Sequence, residues 1–160
     1  IRFKYSGSSN SIILKKDLNF YNEFVELSNI VSDKFSNSLR ILNLLGQVFR
    51  LSINFEDNTR FDKAISYYQK AQDIVNRTGS SQKIGLNRNI GRTYLSNGKL
   101  EEALPYYLEA IKLSDNSSSK IASYFDLFLA YLYEGNYFET IKEIESFENN
   151  LSTYKMRFFV

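Results

Sequence analysis

Residues 90–111 read Ile90-Gly91-Arg92-Thr93-Tyr94-Leu95-Ser96-Asn97-Gly98-Lys99-Leu100-Glu101-Glu102-Ala103-Leu104-Pro105-Tyr106-Tyr107-Leu108-Glu109-Ala110-Ile111. Two runs with apolar residues at helical spacing flank an Asn-Gly turn, so the stretch predicts two antiparallel helices joined by a tight connection. Gly91, Ala103 and Ala110, where the helices would cross most closely, are all small. Helices about 8 to 10 Å apart leave no room for more, and one added methylene there costs about 1 to 3 kcal/mol. Pro105 stands in the second turn of its helix, where it removes one backbone donor and predicts a local bend.

The same order of small residue, ring and turn recurs on both sides. Ala64, Tyr68 and Ala71 repeat Ala103, Tyr107 and Ala110 at a spacing of 39 residues, with Ser52 as the small residue of the preceding helix and Phe55 in the place of Tyr94. A third copy is worn: Gly135-Asn136 supplies a turn and Tyr131 a ring, but Phe128, Thr140 and Phe147 stand in the small positions, 37 residues on. These residues resemble the tetratricopeptide repeat. Its pattern is Gly or Ala followed three residues on by Tyr, a Gly at the turn, then Ala, an aromatic residue and Ala at i, i+4 and i+7. The usual period is about 34 residues, and the excess here falls in the connections at 76–83 and 115–120. Two bulky residues in the third copy imply a wider or differently packed terminal hairpin, as capping repeats often are.

The rest of the chain is consistent with this. It has 160 residues, 43% hydrophobic and 16% aromatic, with one Pro and seven Gly, which suits helices with ring-filled seams better than a many-turned sheet protein. Ile1 to Tyr5 alternates apolar and basic residues before a Ser- and Gly-rich break, so residues 1–13 read as a tail. Leu18, Tyr21, Phe24, Val25 and Val31 mark a first helix from Lys16 to about Val31, and Ser32-Asp33 is expected to cap a second that runs to about Glu56. The expectation is an all-α fold of about seven helices: a right-handed superhelical stack of antiparallel hairpins, forming one repeat domain over residues 14–160. Beginning at Ile1 and stopping on Arg157-Phe158-Phe159-Val160, the chain reads as a piece excised or processed from a longer protein.

The resemblance implies a protein-interaction scaffold whose binding face is a concave groove lined by the first helix of each hairpin. Aligning the copies at offsets of 39 and 37 places Phe49, Arg50 and Ile53, then Arg88, Asn89 and Arg92, then Phe125 and Leu129 on that face. A basic centre between apolar walls suits a peptide or partner segment bearing an acidic group, with Arg50, Arg88 and Arg92 as charge-assisted donors and the apolar side chains as buried area. The other reading of Phe125 and Leu129 is packing against a further repeat or a second copy. A different function with the same fold is a sensor or regulatory module of a larger bacterial signalling protein or transcriptional regulator.

Composition narrows the alternatives. With no His and no Cys, imidazole acid–base work, Ser-His and Cys-His nucleophiles and the usual zinc ligands are all excluded. Glu101 with Glu102, the remaining paired carboxylates of note, sit at a helix start, where they complement the helix dipole. No Gly-rich phosphate loop is present, so neither an enzyme nor a cofactor is expected. A net charge of +2, with an acidic segment from 121 to 160, argues against nucleic acid. No apolar run reaches the roughly 18 residues of a membrane span, and a cytoplasmic setting is the expectation.

Overall fold

The computed structural model describes residues 9–52, 59–79, 81–115, 117–136 and 138–147, with side chains from residue 22 onward except at 117. Among these residues the fold is all-α. Six helices, α1 (Ser9–Lys34), α2 (Leu39–Leu51), α3 (Thr59–Thr78), α4 (Lys83–Ser96), α5 (Leu100–Leu113) and α6 (Ser117–Tyr133), are followed by a seventh, α7, at residues 138–147. The chain divides into two compact units, Ile1–Ile74 and Val75–Val160. Such a division suits a repeat array, in which each hairpin is stabilised by its immediate neighbours.

In the first unit the helix boundaries differ from expectation. α1 starts at Ser9, inside the stretch read as a tail, and runs through Ser32-Asp33 to Lys34. Ser32 does not cap a helix. It is buried, and its Oγ accepts a hydrogen bond from Nζ of Lys70 on α3 at 3.2 Å, so tertiary packing uses the hydroxyl that local sequence offered to a cap. The cap of α2 is Ser38, whose Oγ accepts from the Ile41 amide at 3.4 Å. α2 ends at Leu51, short of Glu56, and its Ser52 carbonyl accepts from Nη1 of Arg60 on α3.

The core of this unit is aromatic. The Phe49 ring, fully buried, lies 5.0 Å from Phe24 of α1 and stacks at 5.5 Å on Tyr67 of α3. Tyr67 carries its hydroxyl to Ser28 and Asn29 of α1 at 3.3 and 3.2 Å, so the ring is buried and the polar tip satisfied. Across from α2, Tyr68 fills the space above Gly46: a Cβ on that glycine would overlap the ring. Ala64 and Ala71, one turn to either side of Tyr68, are fully buried.

The second unit holds the central hairpin as the sequence reads it. α4 packs on α5, α5 on α6, and α4 also reaches α6. A Cβ on Gly91 would come within 2.7 to 2.9 Å of the Tyr107 ring, which is why the position is glycine. Gly98, with φ +70°, ends α4. Its amide bonds to the Leu95 carbonyl and the Lys99 amide to the Tyr94 carbonyl, the Schellman pattern, in which a left-handed residue is nearly free of cost only for glycine. Gly135 ends α6 in the same way, at φ +74°, with bonds from Gly135 to Leu132 and from Asn136 to Tyr131. α5 continues unbroken past Pro105. Ala103, Tyr107, Leu127 and Ala130 form the buried centre, with Tyr94, Leu95, Leu100, Leu104, Ile111 and Tyr131 packed around it.

The third hairpin resolves its two bulky residues by aromatic clustering. Phe128 and Phe147, in the positions of Gly91 and Ala110, meet edge-on at 6.3 Å, and Tyr124 packs on both at 5.8 and 4.8 Å. Thr140, in the place of Ala103, is buried and returns its hydroxyl to the Asn136 carbonyl at 3.0 Å.

Candidate functional site

The glycine–tyrosine contacts set the register of the repeats. Tyr107 follows Tyr68 by 39 residues, as the sequence reading has it, but Gly91 follows Gly46 by 45. The second helices therefore repeat at one interval and the first helices at another, and the difference lies in the connection after Ser52, longer than Asn97-Gly98-Lys99. This corrects the alignment of the first hairpin. Phe49 falls in register with Tyr94 and is a core ring, not a groove wall. In register with Arg88 and Arg92 stand Asn43 and Gln47. Arg50, partly buried, aligns with Leu95. Ile53 and Phe55 lie outside the described residues, as do residues 1–8 and the C-terminal residues 148–160.

In the second unit the structure brings three charged side chains together. Asp126 of α6 is nearly fully buried. Its Oδ2 accepts from Nε of Arg88 at 2.6 Å, and its Oδ1 accepts from Nη2 and Nε of Arg92 at 2.7 and 3.0 Å. Arg88 and Arg92 lie one helical turn apart on α4, so one carboxylate closes on both. Both guanidiniums keep part of their surface in solvent. Two cations and one anion leave the cluster one net positive charge, less than two free arginines would give.

Phe125 and Leu129 flank Asp126 on α6 and are well exposed. Asn89 is different. It is buried and occupies the position on α4 that Asp126 occupies on α6, on the covered edge of the helix and away from the open face. Beside Arg88 opens a cavity of about 630 Å³, lined also by Lys83, Gly85, Leu113, Asp115 and Ser119. Gly85 has nothing within reach of a Cβ, so the cavity owes part of its room to that residue.

Reading from the sequence missed Asp126 as the partner of the arginines. Its spacing of 38 residues from Arg88 is close to one repeat, a signal that the carboxylate would come alongside once first helices stacked.

Antiparallel helix pairs, small residues under tyrosine rings and glycine-ended first helices define a helical-hairpin repeat protein. A model of the tetratricopeptide repeat family matches residues 50–116, a span that contains α3, α4 and α5; the match supports a tetratricopeptide-repeat family, and the helical fold fits it. Comparison with curated proteins gives no match. The family is one of protein–protein interaction scaffolds in general. Among the described residues no helix is long and apolar enough to cross a membrane.

Proposed function

We propose that the second unit binds a peptide or partner segment that carries an acidic side chain, on the face presented by Arg88, Arg92, Phe125 and Leu129. The observation that carries this reading is the juxtaposition of two partly exposed guanidiniums with two exposed apolar side chains of the neighbouring helix. A guanidinium has five N–H donors, and Asp126 takes one from Arg88 and two from Arg92, so each keeps donors for a ligand carboxylate. Asp126 holds both arginines in place, which lowers the entropy lost when a ligand arrives. Phe125 and Leu129 supply apolar area.

Reversing the charges of Arg88 and Arg92 would crowd carboxylates around a buried aspartate and unsettle the fold, so it is a poor test. The better experiment places the intact chain on an array of amphipathic peptides that differ in a central Glu or Gln, beside the variant Phe125→Ala/Leu129→Ala. Glu peptides should be retained over their Gln counterparts, and the variant should weaken retention at least about tenfold, the loss of about 1.4 kcal/mol, with unchanged helicity. Equal retention of Glu and Gln peptides, or a variant that binds as the parent does, would overturn the reading.

A further inference from the structure

The repeat period of this chain exceeds that of the tetratricopeptide repeat, and the excess falls in the connections at 76–83 and 115–120. Both connections contribute to one cavity. The first supplies Ser81 and Lys83 to its lining and the second Asp115 and Ser119, all within the second unit. Its volume, about 630 Å³, lies inside the roughly 300 to 1,000 Å³ of ordinary small-molecule sites. Gly85 and Asp115 are exposed, so the cavity opens to solvent.

Charge is divided across the lining. Lys83 and Arg88, both on α4, supply cations, and Asp115, just beyond the end of α5, supplies a carboxylate. Nε of Arg88 is committed to Asp126, which leaves the four N–H donors of its terminal nitrogens. Nζ of Lys83 stands 3.6 Å from Oε1 of Glu109, too long for a hydrogen bond, so its donors also remain for a ligand. Glu109 and Asp126 each stand against one of these cations, and that lowers the attraction for a simple anion. A molecule that bears both charges gains at both walls. Ile84 and Leu113, half-buried, add apolar area to the same lining.

We infer that the cavity binds a small zwitterion with an apolar side chain, an amino acid or a dipeptide of such residues. The ligand carboxylate accepts from Arg88 and Lys83, and its ammonium donates to Asp115, whose carboxylate has about four acceptor positions. Its side chain lies on Ile84 and Leu113. This goes beyond the peptide reading and does not rest on it: Arg88 alone is common to the two, and the assay below contains no acidic peptide.

The test titrates the isotopically labelled whole chain with L-leucine and with leucyl-leucine while amide proton–nitrogen correlation spectra are recorded. N-acetyl-leucine, which lacks the ammonium, and leucinamide, which lacks the carboxylate, serve as comparisons. At least one zwitterion should shift the amides of Gly79, Gly85 and Ser119 saturably, and the tighter of the two identifies the size of the ligand. Each blocked analogue should bind at least about tenfold more weakly, because it leaves one charged wall without its partner. Asp115→Asn, at an exposed position, should weaken the zwitterion to a similar degree. Gly85→Leu, at a helical position with open space for a side chain, should keep the fold and remove the shifts by filling the cavity. No saturable shift with either zwitterion, a blocked analogue that binds as tightly, or either variant binding as the parent does would overturn the inference.

Discussion

Nε of Arg88 lies 2.6 Å from Oδ2 of Asp126, 38 residues further along the chain, and Asp126 is almost wholly removed from solvent. Removing one side of such a pair is not equivalent to removing the other. Arg88→Gln with Arg92→Gln strands a buried carboxylate and is expected to cost about 3 to 5 kcal/mol. Asp126→Asn leaves two arginines that water can reach and is expected to cost less, about 1 to 2 kcal/mol. Urea midpoints of the two variants would show the order, and equal losses would mean that the ion cluster is not what holds α4 to α6.

The closeness of Gly91 to Tyr107 makes a second prediction. Gly91→Ala gains about 1 kcal/mol of helix propensity but forces a methyl group into the ring of a fully buried tyrosine, so a net loss of about 1 to 2 kcal/mol is expected. Gly46→Ala, which meets Tyr68 more closely, should lose more. In a double-mutant cycle with Tyr107→Leu, the penalty of Gly91→Ala should shrink; additive losses would count against the contact.

Two other glycines should respond with opposite signs. Gly85 is helical, with open space where a Cβ would be, so Gly85→Ala is expected to raise stability by about 0.5 to 1 kcal/mol. Gly98 has a φ of +70°, and Gly98→Ala is expected to lower it by about 1 kcal/mol. Thermal melts of the two variants side by side decide this.

High pH should weaken the fold. Burial raises the Tyr131 phenol above its ordinary value of 10.0, and Glu143, Glu139 and Glu101 push it the same way. Tyr94 is raised by burial first, then by Tyr106 and Glu102. The folded chain thus holds these protons more tightly than the unfolded one. Their contribution is fully present below the unfolded value and is lost as pH rises through the folded values. Urea midpoints should fall between about pH 9 and about pH 11, and Tyr94→Phe/Tyr131→Phe should flatten that fall. An unchanged slope in the double variant would assign the loss to other groups.

The central hairpin was legible because its determinants are local. A glycine that must take positive φ, two alanines and a tyrosine at i, i+4 and i+7, and an apolar stripe act within a few turns of one another, so residues 90–111 determined their own structure. The resemblance to the repeat family rested on the same residues.

What depended on distant partners was not legible. Ser32 carries the local signature of a helix cap, yet Lys70 on α3 takes its hydroxyl and Ser38 caps instead. Phe49 could be placed in the groove only while the first helices were assumed to repeat at the interval of the second ones; the Gly46–Tyr68 contact reveals the longer connection and turns Phe49 into core. The pairing of Asp126 emerged only once α6 lay against α4 and two guanidiniums converged on it. By itself the sequence determined the all-α class and how the central pair nests, since those are short-range steric matters. Only the tertiary structure decided which residues remain open to a partner, because exposure and charge pairing depend on side chains a full repeat away.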